Sequence, residues 1–229
     1  MELQKRKRAD KEAIRRLKKK KKMRMRAIMA ACVIVLMAVS FYAGYITGAR
    51  KPLYTGEILL VNAENPLAAD YVPEGLVNLF EVRHSFRLAS SEIYMTYEAY
   101  SAMEEMFAQA EAENVNGFIV TSGYRSFERQ QEIYAESEEG YAQKPGASEH
   151  QTGLAFDVTA ANSGDGFETT QQFAWIRRNA HKYGFIQRYP TNKSHITGIS
   201  YEPWHYRYVG VEAATIMYQN NLTLEEFLK

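Results

Sequence analysis

The 229-residue chain is 46% hydrophobic and 13% aromatic, which excludes a wholly unfolded polymer and leaves room for one or two domains with a packed core. Its formal charge of +1 conceals a division: residues 1–26 hold 14 Lys and Arg against Glu2, Asp10 and Glu12, leaving 14 basic and 24 acidic residues beyond. The pattern is a basic tail on an acidic globule, and the single cysteine, Cys32, excludes an internal disulfide.

The basic run at 1–26, with Lys18 to Lys22 at its heart, suits either nucleic acid or a membrane surface. The next segment decides between them. Residues 27–48 are 22 residues without a charge, enough to cross a bilayer as a helix at about 1.5 Å per residue. Fourteen positive charges precede this run and only Arg50 and Lys51 follow it closely, so the positive-inside rule puts residues 1–26 in the cytoplasm and the rest outside. A cleaved signal peptide would have a shorter apolar region and a small-residue cleavage site, which this run lacks. The expectation is a cytoplasmic tail at 1–26, a transmembrane anchor at 27–48, a connector at 49–57 and an extracytoplasmic domain at 58–229, with no role in nucleic-acid binding.

Within 58–229, Ile58 to Asn62 is apolar and reads as a first strand. Tyr94, Tyr97, Tyr100, Met103, Met106 and Phe107 recur at helical spacing, so a helix is expected from Ser91 to about Asn114 with that stripe packed in the core. Gly117 to Thr121 is β-prone, and Ser126 caps a helix to about Glu138. A Gly/Pro-bearing loop at 139–149 precedes a strand from Gly153 to Thr159. Glu168 to Tyr183 reads as a helix ended by Gly184. Strands at Phe185–Tyr189 and Trp204–Val209 and helices at Val211–Asn220 and Leu224–Leu228 complete the chain. Without a regular βαβ rhythm, the class is α+β.

Two of the five histidines sit in chemically suggestive company. His150 stands seven residues before Asp157, on a loop that leads into a strand, and alternation puts Ala155 and Asp157 on one face while Leu154, Phe156 and Val158 enter the core. A carboxylate between Phe156 and Val158 needs a partner, and a metal ion would supply one. His205 follows Glu202 by three residues. Two imidazoles and one carboxylate suit Zn²⁺ with a fourth position open for water, and a glutamate beside such a water is a natural general base. Arg125, at the end of the 117–121 strand, is placed to aim its fork at a substrate carboxylate or a developing oxyanion.

The pattern S-x-H-x-x-G-x-A-x-D is filled by Ser148, His150, Gly153, Ala155 and Asp157, with SGYRS upstream and E-P-W-H downstream. In that order these motifs resemble the VanY-type D-alanyl-D-alanine carboxypeptidases, whose relatives act as L,D-carboxypeptidases or D,D-dipeptidases. The resemblance runs from about Ile58 to the C-terminus. It implies a small α+β domain with an antiparallel sheet floored by helices. It further implies His150, Asp157 and His205 as zinc ligands, Glu202 as catalytic base and Arg125 as the group stabilising the reacting carbonyl, while Ser148, Tyr124 and Gln130 match the substrate pocket. The expected activity is removal of the C-terminal D-alanine from peptidoglycan stem peptides. The rivals are an L,D-carboxypeptidase trimming tetrapeptide stems and a non-catalytic wall-binding module with structural zinc.

Overall fold

The computed structural model describes residues 58–137, 142–164 and 166–229. The expected tail at 1–26, anchor at 27–48 and connector at 49–57 lie outside them. Among the described residues no helix is long and apolar enough to cross a membrane.

The elements in chain order are β1 (Leu76–Asn78), β2 (Arg87–Leu88), β3 (Tyr94–Thr96), α1 (Tyr97–Ala112), β4 (Phe118–Ser122), α2 (Phe127–Glu136), β5 (Ala155–Ala160), α3 (Gln171–Asn179), β6 (Phe185–Tyr189), α4 (Ser194–Thr197), β7 (Glu202–Tyr208), α5 (Val211–Asn220) and α6 (Leu224–Phe227). β1 and β3 form an antiparallel pair, and the remaining strands form a sheet in the order β2-β4-β5-β7-β6. The class is α+β as expected, but the larger sheet is mixed: β2 runs parallel to β4, and every other pairing in it is antiparallel.

Side-chain alternation divides the work of this sheet. Phe156, Phe185 and Tyr206 face a core built with Met103, Met106 and Phe107 of α1 and with Trp175 of α3. The Phe107 ring meets Phe118 at 4.6 Å and Phe156 at 5.9 Å between centroids, and Phe156 meets Phe185 at 5.2 Å. Tyr100, Met103, Met106 and Phe107 of the stripe are therefore core packing, as their spacing predicts, whereas Tyr94 and Tyr97, 37% and 61% exposed, lie outside the core. On the other face Ile186 packs with Val209, Ala213, Ala214 and Met217 under α5. Asp157, His205 and Arg207 are set on that second face by their register, Asp157 opposite His205 and Ala155 opposite Arg207.

Three sequence expectations are corrected. Ile58 to Asn62 is not a strand: the Asn62 side chain accepts from the backbone N–H groups of Glu64 and Asn65, each at 3.0 Å, and closes a turn instead. The helix expected from Ser91 begins at Tyr97, because Tyr94 to Thr96 pairs with β1 and the Thr96 hydroxyl caps α1 by accepting from Ala99. The helix expected over 168–183 is three pieces. Thr170 caps α3 by accepting from Phe173 at 3.1 Å, so the turn at Phe167–Thr169 stays outside it, and a tight turn at Ala180–Tyr183 follows. Its end is as expected, at Gly184 with φ +84°. The cap at Ser126, accepting from Arg129, is also as read.

Candidate metal centre

Three neighbouring segments deliver the site. His150 lies in the tight turn Glu149–Thr152, Asp157 in β5 and His205 in β7. Both flanks of the sheet are irregular here. β4 carries an extra residue between Val120 and Ser122, and β7 bulges past β6 between the Gln187–Tyr206 and Tyr189–Glu202 pairs. Bulges of this kind re-aim side chains at strand ends, and His205 lies in the bulged stretch of β7.

One candidate ligand atom from each of His150, Asp157 and His205 falls within 4.8 Å of the others. His150 Nε2 is 3.2 Å from Asp157 Oδ2, and His205 Nδ1 is 2.9 Å from Asp157 Oδ1. These approaches gather two imidazole nitrogens and a carboxylate, the N/O donor set that Zn²⁺ takes. The outward ring nitrogens have their own partners. His150 Nδ1–H donates to the Gly123 carbonyl at 2.7 Å, which leaves Nε2 free to coordinate. His205 Nε2 faces Glu149 Oε2 across 3.5 Å, and both atoms are buried without a closer hydrogen bond among the described residues. Such supports hold metal-binding imidazoles in one tautomer and orientation. The donor set and its supports therefore fit a zinc ion.

Gly123 is where the β4 end, β3 and the His150 turn meet. Its carbonyl holds His150, and a Cβ there would collide with the Tyr94 carbonyl. The same Tyr94 carbonyl accepts from Tyr124 N, and His150 O accepts from Arg125 N. A glycine is required by this close approach.

Beneath the triad is an ion cluster that no local motif reveals. Glu149 is 1% exposed. Its Oε1 accepts from Arg188 Nε at 2.8 Å and from Arg207 Nη1 at 2.9 Å, and Arg188 continues to both oxygens of Glu225. Burial acts to raise the Glu149 carboxyl, but the two guanidinium groups outweigh it and hold it well below the ordinary carboxylate range. Asp157 is likewise held low by His150 and His205 against the pull of burial. Burial acts to lower His205, but the adjacent Asp157 and Glu149 carboxylates prevail and bring it to about 9.

The triad opens into a cavity of about 740 Å³. Glu202 lines it, with Oε2 3.9 Å from His205 Nδ1, and burial raises its carboxyl above the usual value. Arg125 enters from the β4 side, donating to Gln130 Oε1 at 2.8 Å and to Ser122 Oγ at 3.1 Å. Burial draws its pKa down and nearby Asp157 partly restores it. Ser148 and Gln130 also line the cavity, whereas Tyr124 and His195 are not among its lining residues. Tyr189, Tyr201 and Trp204 do line it, although no reading of local sequence assigned them there.

A family model described as VanY, D-alanyl-D-alanine carboxypeptidase, matches residues 92–211. A D-alanyl-D-alanine carboxypeptidase of Enterococcus faecium is 41% identical over 182 residues, covering 78% of this chain and 59% of that one. The chain thus spans about three fifths of that relative's length. The structure of the LdcB LD-carboxypeptidase is similar at 41% identity with a TM-score of 0.66, covering 74% of this chain and 84% of that one. A mutant of the vancomycin resistance D,D-pentapeptidase VanY, in complex with Zn(II), is similar at 38% identity with a TM-score of 0.63, covering 75% and 98%.

Proposed function

The chain belongs to the VanY family of D-alanyl-D-alanine carboxypeptidases, and on that premise we propose that it is a zinc-dependent enzyme removing the C-terminal D-alanine from peptidoglycan stem peptides. The observation that carries this reading is the convergence of His150, Asp157 and His205 within 4.8 Å, in one cavity with Glu202 and Arg125.

His150, Asp157 and His205 would hold the metal. When bound, zinc polarises the scissile carbonyl and brings the pKa of the attacking water to about 7. Glu202, raised by burial, takes the proton of that water and passes it to the departing amine. Arg125, its fork oriented by Ser122 and Gln130, offers fixed positive charge to the oxygen that gains electrons. Ser148 and Gln130 contribute polar contacts at the cavity wall. A cavity of about 740 Å³ is in the range that holds drug-sized ligands, which supports a stem peptide over a free dipeptide.

A second reading, an L,D-carboxypeptidase acting on tetrapeptide stems, is favoured by the 41% identity to LdcB. The same zinc machinery would serve both. Pentapeptide and tetrapeptide stems offered side by side to the zinc-loaded protein separate them: alanine release from the pentapeptide, stopped by a chelator and restored by zinc, supports the first, and cutting of the tetrapeptide alone supports the second.

The proposal extends to location. The basic run at 1–26 and the uncharged run at 27–48 support a single-pass anchor, with the tail against anionic lipid and the domain at 58–229 outside. Protease added to intact protoplasts tests it, since it should digest the domain and spare the tail.

A further inference from the structure

Buried tyrosines usually find a partner for their hydroxyl. Tyr100 does so, donating to the Arg83 carbonyl at 2.6 Å. Tyr206 does not: its hydroxyl is sealed on the aromatic face of the sheet, where no ligand reaches it. Tyr189 is a third case. It is 5% exposed, its ring stands 5.0 Å from the His205 ring, and it borders the cavity that holds Glu202 and the triad. Its hydroxyl makes no hydrogen bond to any described residue, yet it is not among the sealed atoms that lack a partner. An enclosed ring with an unmatched hydroxyl at a cavity wall is arranged for a group that arrives from outside.

The sheet order gives that group its direction. Arg125 follows β4, Asp157 lies in β5, Glu202 and His205 in β7 and Tyr189 in β6. Tyr189 is the register partner of Glu202 across the bulged end of the β6–β7 pair. The triad is therefore flanked by Arg125 on one side and by Tyr189 on the other. A tyrosine phenol is neutral at ordinary pH, so it can serve as a donor.

We infer that the Tyr189 hydroxyl contacts substrate directly, donating a hydrogen bond to an oxygen of the bound peptide on the flank opposite Arg125. This rests on the carboxypeptidase reading above. It gives the peptide a second polar anchor, so that the scissile bond is held from both sides and cannot swing about Arg125 alone.

The test uses the full chain in detergent, zinc-loaded, with Tyr189→Phe removing the hydroxyl and keeping the ring. A pentapeptide stem is titrated calorimetrically into Glu202→Ala protein, where turnover is stopped, and into the Glu202→Ala/Tyr189→Phe double variant. Binding about 5- to 10-fold weaker in the double variant is expected, with zinc content and melting temperature matching the parent. Tyr189→Phe alone should lower kcat/KM by about tenfold or more. Binding and kcat/KM within twofold of the parents would overturn the assignment. So would losses accompanied by lower zinc content or melting temperature, which would mark a packing role. Absence of cleavage by the wild-type protein would overturn the carboxypeptidase reading itself, and this assignment with it.

Discussion

Asp157 and His205 are register partners on adjacent antiparallel strands, and their side chains meet at 2.9 Å on the face turned away from the aromatic core. Two of the three candidate ligands are thus set by the hydrogen-bond ladder of the sheet itself. Only His150 depends on a turn, and that turn is pinned through the Gly123 carbonyl. The sheet thus fixes two of the candidate ligands and a pinned turn the third, which frames the expectations that follow.

Metal removal is the first. Binding to the folded state alone stabilises it by mass action, so EDTA treatment should abolish peptide cleavage and lower the melting temperature by on the order of 10 °C. Stoichiometric zinc should restore both. An unchanged melting curve in differential scanning calorimetry would contradict a buried zinc site at His150, Asp157 and His205.

Glu202 lines the cavity without a strong ion-pair partner, so its replacement should spare the fold. Glu202→Gln is expected to lower kcat by roughly 10²- to 10⁴-fold, the usual contribution of a general base. Zinc content by mass spectrometry should stay at one per chain. A variant that retains wild-type kcat would move the base elsewhere.

Glu149→Gln tests the ion cluster. Leaving Arg188 and Arg207 under-compensated in a buried place should cost about 3–5 kcal/mol, and the altered contact to His205 should weaken zinc binding by about 10- to 100-fold. The pH dependence has a definite sign. Because the folded-state pKa of Glu149 is depressed, its contribution is full above the ordinary value of 4.5 and is lost as pH falls below that. Urea midpoints measured from pH 7 to pH 3 should fall steeply for the wild-type protein and more gently for Glu149→Gln.

Gly123→Ala places a methyl group against the Tyr94 carbonyl. The backbone must shift, at a cost of about 1–3 kcal/mol, and the Gly123 carbonyl moves with it away from His150. Chelator competition should then show weaker zinc retention, while Gly164→Ala, which meets no neighbour and sits at no positive φ, should leave retention at the wild-type level.

The site was legible where chemistry is local. His150 and Asp157 share one short motif, Glu202 and His205 another, and alternation along β5 correctly separated Asp157 from Phe156 and Val158. Glu149 was passed over although it adjoins His150, because its meaning comes from Arg188 and Arg207, 39 and 58 residues away. Tyr189 was hidden for the same reason: a tyrosine in an apolar strand announces packing until the bulge of β7 turns the site toward it. In the fold, the late helices α5 and α6 lie where the sequence reading put them, at Val211–Asn220 and within Leu224–Leu228. The three-residue strands β1 and β3 were not, since Tyr94 continues the helical stripe of α1 and only its pairing with Asn78 makes it a strand. The parallel pairing of the two-residue β2 with β4 has no local signature at all.

The Leu59 carbonyl accepts from Arg207 Nη2 at 2.8 Å, and the Asn62 side chain reaches Glu225 at 3.4 Å. The opening stretch of the domain is therefore stitched to the same guanidinium that steadies Glu149 behind His205. For anyone grafting this domain onto another carrier, the seam lies upstream of Ile58. A cut at Asn62 would strand one donor of Arg207 in a dry interior, at about 1–3 kcal/mol, and the damage would surface two bonds away as a loosened histidine rather than as a frayed end.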